Sequence, residues 1–180
     1  MGIDEVGRGS LAGPVTVAAL AMPATMSRKY LVSSSKYKLP PLRDSKRLTE
    51  KQRELWHKHF KDNTDIRFAV AHVQPSVIDR INIREAANLA ATRAFEKLGK
   101  QFAAFPSHGS GMRHFYCRRI NVLLDGGLFM KMQNAKIKMQ NVNVRTIIRG
   151  DEKYIAIKLA SIVAKVRRDR LMRRLHKKYP

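Results

Sequence analysis

Apolar residues along this chain fall in short dense runs set between strongly charged stretches. Their spacing switches repeatedly between strand-like and helix-like. The opening "GIDEV" predicts the end of a strand. Residues 7–14 hold Gly7, Gly9, Gly13 and Pro14 and predict a turn region, followed by a buried strand in "VTVAALAM". Residues 24–41 show no period and are expected to connect elements. "DSKRLTEKQRELWHKHFKD" predicts a helix with Thr49 as a possible N-cap and Leu48, Leu55 and Phe60 on its apolar face. "IRFAVAHV" predicts a strand, and "PSVIDRINIREAANLAATRAFEKLG" a long helix closed by Gly99. Beyond a loop-like segment at 100–118, "INVLLDGG" and "VNVRTIIRGD" predict two strands, each running out in an acid beside glycine. From Glu152 to Lys178 the pattern is helical, with Ile155, Leu159, Ile162, Val163 and Val166 facing inward. No internal repeat is visible. Alternating strands and helices predict an α/β class with a largely covered sheet, in a single domain spanning residues 1–180.

Charge changes the picture most. Thirty-six Lys and Arg against 14 Asp and Glu give a formal net charge of +22 and a sequence pI of about 10.8. Such a cation calls for a polyanionic partner, and nucleic acid fits better than a membrane surface because no segment has the pattern of an amphipathic anchor. No apolar run reaches the ~18 residues of a membrane span, and the acids at the start do not suit a signal peptide. Cys117 stands alone, which rules out an intrachain disulfide and favours a reducing compartment, with the cytoplasm as the default.

In a chain this poor in acids, Asp4 and Glu5 are adjacent, and Asp125 and Asp151 each end an apolar run. If the three strands are neighbours, all four carboxylates converge at one edge of the sheet. At ~4 Å and an effective dielectric near 20, each charged pair repels by about 4 kcal/mol. Two divalent cations cancel four negative charges. Oxygen donors without Cys or paired His select Mg2+ or Mn2+ rather than zinc. Two such ions suit metal-assisted hydrolysis of a phosphodiester. Taken singly, each acid fits an ordinary turn or a cap, Asp151 included; the combination favours the metal site.

"GIDEVGRGSLAGPV", "DSKRLT", "INIREA", "VLLDGG", the Gly-Asp pair and "ASIVAKVRRDRLM" stand in the order and approximate spacing of the ribonuclease HII family, which the chain resembles from residue 2 to residue 180 with interruptions at 24–41 and 100–120. The resemblance implies a ribonuclease H-like fold, a five-stranded mixed sheet flanked by helices. It implies that Asp4, Glu5, Asp125 and Asp151 are the catalytic metal ligands. It also implies that Gly7, Arg8 and Gly9 form the loop that senses a 2′-hydroxyl, and that Ser45 and Lys46 lie near the substrate backbone. Glycines allow close approach to a sugar, and the 2′-hydroxyl distinguishes RNA from DNA. Ser161, Lys165 and Arg168 share a helix face that suits phosphate contact, favoured for Lys165 and left open for Arg168. Asp169 is expected to pair with a neighbouring base, and Asn82 to orient a helix start. His57 and His59 face different sides of their helix and do not suit a metal site.

The activity implied is endonucleolytic hydrolysis 5′ to ribonucleotides, in RNA–DNA hybrids or in ribonucleotide-containing duplex DNA. It would leave 3′-hydroxyl and 5′-phosphate ends and be carried out by a monomer with no membrane partner. Two departures qualify it. Only Met1 and Gly2 precede Ile3, and the chain ends at "KKYP", before the segment whose tyrosine stacks at the RNA–DNA junction in the family. Tyr179 is not expected to take that part. An impaired or inactive family fragment that only binds nucleic acid is therefore the alternative. A basic structural RNA-binding protein is a third possibility, and it leaves the acids unexplained.

Overall fold

The computed structural model describes residues 1–26, 39–103, 120–130 and 142–179. Strand β1 (Gly2–Val6) turns back antiparallel into β2 (Val15–Ala21), and β3 (Arg67–Val73) pairs antiparallel with β2 on its other side. β4 (Ile120–Asp125) lies parallel to β1, and β5 (Val142–Ile147) parallel to β4, so the mixed sheet runs β3-β2-β1-β4-β5. This is the five-stranded mixed sheet that the resemblance implied. The proposed insertions at 24–41 and 100–120 lie mostly outside the described residues, as do Cys117 and most of the Met-rich "MKMQNAKIKM".

Every residue of β2 is buried, so alternate side chains feed two cores. Val15, Val17, Ala19 and Ala21 pack with an alanine stripe (Ala86, Ala87, Ala90, Ala91 and Ala94) of helix α2 (Pro75–Ala103). Ala18 and Leu20 face α1 (Glu50–Asp62) and α4 (Ile155–Lys178), meeting Trp56, Phe60, Leu159, Ile162 and Val163. Small residues let α4 cross directly over β1. A Cβ on Gly2 would sit 2.2 Å from the carbonyl carbon of Ala156, so any side chain there would push the helix off the sheet.

Helix boundaries differ from the predicted ones for identifiable reasons. Thr49 and Gln52 form a reciprocal capping box, with Thr49 N donating to Gln52 Oε1 at 2.9 Å and Gln52 N to Thr49 Oγ1 at 3.3 Å. The helix therefore starts after Thr49, and Ser45–Arg47 form a separate 3-10 turn. With that start, Trp56 and Phe60 are the buried i, i+4 pair. Leu55, about 100° round the helix, is exposed rather than part of the apolar face. In α2, Asn82 leaves the helical region at φ 64°, and its side-chain oxygen accepts from Glu85 N at 3.0 Å, capping the part that follows. Asn82 thus sits at a helix start, as expected. Gly99 does not close the helix, because Leu98 and Phe102 continue the buried stripe to the end of α2. Tyr154 adopts an extended conformation and separates a short helix α3 (Gly150–Lys153) from α4, so Glu152, expected to open the last helix, belongs to α3.

His57 is fully buried against Phe68, at 5.4 Å between ring centroids, and neither ring nitrogen has a hydrogen-bond partner. Burial, reinforced by the nearby Arg170 charge, pushes its pKa from 6.5 down to about 4. Below pH 6.5 the unfolded chain takes up a proton that the folded chain refuses, so stability is lost progressively as pH falls toward 4. The expected outcome is that His57→Phe flattens this acid limb in urea titrations between pH 7 and 4. An unchanged slope would show that other groups set it.

Candidate active site

The antiparallel turn from β1 to β2 and the parallel pairing of β1 with β4 bring two acid-bearing strand ends together. Gly2 is in register with Leu123 and Ile3 with Leu124, so Asp4 and Asp125 come next at the same level. Glu5 follows, beyond the β1–β4 register but still paired with Val17 of β2. One carboxylate oxygen from each of Asp4, Glu5 and Asp125 lies within 4.8 Å of the other two. Asp151 stands outside this group. β5 stops at Ile147, Arg149 adopts a left-handed conformation (φ 53°), and Asp151 falls in the first turn of α3 rather than at a strand end. The amide of Gly150 donates to Asp125 Oδ1 at 2.6 Å, tying the start of α3 to the cluster. The expected convergence of four acids is thus a close group of three with Asp151 at its rim.

Crowding and burial act on the protons. Burial raises the Asp4 carboxyl well above its usual range, and the Glu5 charge adds to this. Hydrogen bonds from Ser161 and from the Glu5 amide (2.8 Å) oppose it. Glu5 is raised mainly by burial, against the pull of Arg8, and Asp151 by burial followed by repulsion from Asp125 and Asp44. The exposed Lys46 favours the charged forms of both Glu5 and Asp151, which places its ammonium within electrostatic reach of the cluster.

A shell of polar contacts fixes these groups. Arg8 bridges the site, 3.3 Å from Glu5 and donating to the carbonyl of Gly127 at 2.7 Å. Ser161 bonds Asp4 and shares a 2.8 Å hydrogen bond with Ser45, and both hydroxyl residues are buried. Ser45 and Ser161 therefore lie behind the acids, with their hydroxyls committed to each other and to Asp4. Lys165 is partly exposed and pairs with Asp169 at 2.6 Å, which gives Asp169 the basic neighbour expected of it. Gly9 is exposed and Gly7 half-buried, with φ 104° at Gly7. Arg168 is buried, and its guanidinium is turned toward loop carbonyls.

Sequence reasoning did not single out Arg53. Its guanidinium donates to the carbonyls of Ser45 at 3.1 Å and Leu48 at 2.5 Å and pairs with Asp169 at 3.4 Å. It thereby joins the Ser45–Lys46 turn to Lys165. Arg53 sits in a charged helical stretch, and one of its partners, Asp169, lies more than a hundred residues away.

The donor set fits hard divalent cations. Three carboxylates converge, neither Cys nor His belongs to the group, and Glu5 Oε2 is buried without a hydrogen-bond partner. A family model described as Ribonuclease HII matches residues 1–180. The chain belongs to the ribonuclease HII family. Ribonuclease HII of Endomicrobium trichonymphae is 37% identical over 179 residues, covering 99% of this chain and 68% of that protein. Ribonuclease HII of Bacillus mycoides (strain KBAB4) is 36% identical over 99% of this chain and 55% of its own length. The chain therefore spans little more than half of some curated relatives it matches. Among solved structures, ribonuclease H2 from Pyrococcus horikoshii OT3 aligns with a TM-score of 0.66 at 24% identity, covering 99% of this chain and 75% of that one. A ribonuclease HIII solved in complex with Mn2+ aligns at 0.60 and 20% identity, over 92% of this chain and 50% of that one. The fold is ribonuclease H-like.

Relief of the carboxylate crowding is open to direct measurement. Mn2+ or Mg2+ at about 100 times its dissociation constant is expected to stabilise the chain by about 2.7 kcal/mol, seen as a rise in Tm. Asp125→Asn keeps the acceptor for Gly150 N but removes one charge. It should raise Tm in chelator and abolish most of the metal-induced rise.

Proposed function

We propose that this member of the ribonuclease HII family is a metal-dependent endonuclease. Its substrates would be RNA–DNA hybrids and ribonucleotides embedded in duplex DNA, cut 5′ to the ribonucleotide to leave 3′-hydroxyl and 5′-phosphate ends. The observation that carries the proposal is the close grouping of Asp4, Glu5 and Asp125, with an unpartnered buried oxygen on Glu5, directly beside the Gly7–Arg8–Gly9 loop.

Asp4, Glu5, Asp125 and the neighbouring Asp151 would hold Mg2+ or Mn2+. When bound, such ions supply Lewis acidity that activates water and neutralises charge developing on the phosphodiester. The chain's own residues do the rest. Ser161, backed by Ser45, holds the Asp4 carboxylate in place. Arg8, anchored between Glu5 and the Gly127 carbonyl, fixes the loop whose backbone would meet the 2′-hydroxyl. Lys46 and Lys165 stand exposed or partly exposed nearby and would hold phosphates, with Asp169 and Arg53 setting where Lys165 rests.

A duplex carrying one ribonucleotide should be nicked 5′ to it in the presence of Mg2+ or Mn2+, and an all-DNA duplex should not. Asp125→Asn should reduce the rate by at least about a hundredfold, since even residues behind metal ligands cost 10–100-fold. A folded sample that cuts neither a single ribonucleotide nor a hybrid would reject the proposal. Binding without cutting would leave a nucleic-acid-binding role alone.

A further inference from the structure

We propose that Arg168 is a positioning residue for ribonucleotide discrimination: from the inner face of α4 it holds the Gly7–Pro14 loop in the shape that presents Arg8 and its flanking glycines. The inference rests on the functional reading above, in which that loop senses the 2′-hydroxyl.

Arg168 lies on the helix face that also carries Ser161 and Lys165, where a phosphate contact would be the simple expectation for an arginine. Its burial and its bonds point elsewhere. The residue is only 8% exposed, and its guanidinium donates from Nη2 to the carbonyl of Ala12 at 3.1 Å and from Nε to that of Pro14 at 3.4 Å. The loop backbone rests on the side chain itself. A Cβ on Gly7 would come 2.7 Å from Arg168 Nε, and one on Gly13 would come 2.5 Å from Met172 Sδ, one helical turn further along α4. Both glycines have positive φ, 104° and 87°, a region that disfavours side chains.

The loop needs such a support. Its internal backbone bond from Ser10 N to Gly7 O is long, at 3.5 Å, and Leu11 at its tip is fully exposed. Arg8 ties one side of the loop to Glu5 and Gly127, while Arg168 holds the other side through two carbonyls more than 150 residues away in sequence. A rigid fork with several donors can grip two carbonyls at once; a lysine cannot. Recognition of one hydroxyl depends on sub-ångström placement of the backbone that meets it, so loosening this grip should cost discrimination before it costs general affinity.

The test compares Arg168→Met and Arg168→Lys with the wild-type chain. Three quantities are read: KM for a single-ribonucleotide duplex, the inhibition constant of the matching all-DNA duplex with its salt dependence, and amide hydrogen exchange across residues 7–14. Positioning predicts that Arg168→Met lowers the ratio of DNA inhibition constant to KM by about tenfold, the scale of one lost hydrogen bond to a charged group. The DNA constant and its salt slope should stay unchanged. Loop exchange should speed up about tenfold while β1 and α4 stay protected, and Arg168→Lys should go in the same direction. Arg168→Gln, which keeps one donor but loses the fork, should show a smaller loss in the same direction and keeps the test open if Arg168→Met folds poorly. A phosphate contact would instead weaken both duplexes equally, reduce the salt slope by about 0.9, and be rescued by lysine. That result overturns the inference, as does unchanged loop exchange. If the wild-type chain shows no ribonucleotide preference, the functional reading falls, and hydrogen exchange alone decides whether Arg168 holds the loop.

Discussion

The burial and crowding of Asp4 and Glu5 beside Asp125 is the constraint around which this molecule is organised. Three carboxylates with oxygens within 4.8 Å of one another, one of them buried, oppose folding unless something offsets them. The chain offsets them only in part. Arg8 faces Glu5, Ser161 and the Glu5 amide hydrogen-bond Asp4, and the Gly150 amide bonds Asp125. The remaining deficit is what divalent cations would offset under the proposed function.

Helix α4 is the element that converts this constraint into a working shape. Its start lies so close over β1 that Gly2 has no room for a Cβ. That closeness puts Ser161 within hydrogen-bonding reach of Asp4, Lys165 at the rim, and Arg168 beneath the loop. Further along, Arg170 pairs with Glu54 through Nε and Nη2, and Arg173 with Glu50, binding α4 to α1. These outer pairs are partly exposed, and each adds about 1 kcal/mol or less. Their consequence is alignment: α1 presents Arg53, which holds the Ser45–Lys46 turn on one side and Asp169 on the other.

Much of this was legible in the chain. The strands followed from short apolar runs, Thr49 from its capping pattern, and the acids from their position beside glycine at the ends of those runs. What went astray had local physical causes. Leu55 looked like core because it is apolar, yet the register set by the Thr49 cap turns Trp56 inward instead. Asp151 looked like a strand end because the run "VNVRTII" leads to it; the left-handed turn at Arg149 ends the strand sooner and begins a helix. Gly99 looked like a stop, yet Leu98 and Phe102 bury enough surface on either side to carry the helix through it.

The sequence by itself determined which groups could do chemistry, because carboxylates beside glycine and a surplus of cations are properties of residue type and spacing. Only the tertiary structure decided how those groups divide their work. Ser45, Ser161 and Arg168 carry hydroxyls and a charge that on a bare helix or turn would suit phosphates, but the packing of α4 on β1 faces them inward. Which way a polar side chain points depends on what lies against it, and here the partners come from segments more than a hundred residues apart, which no local pattern records.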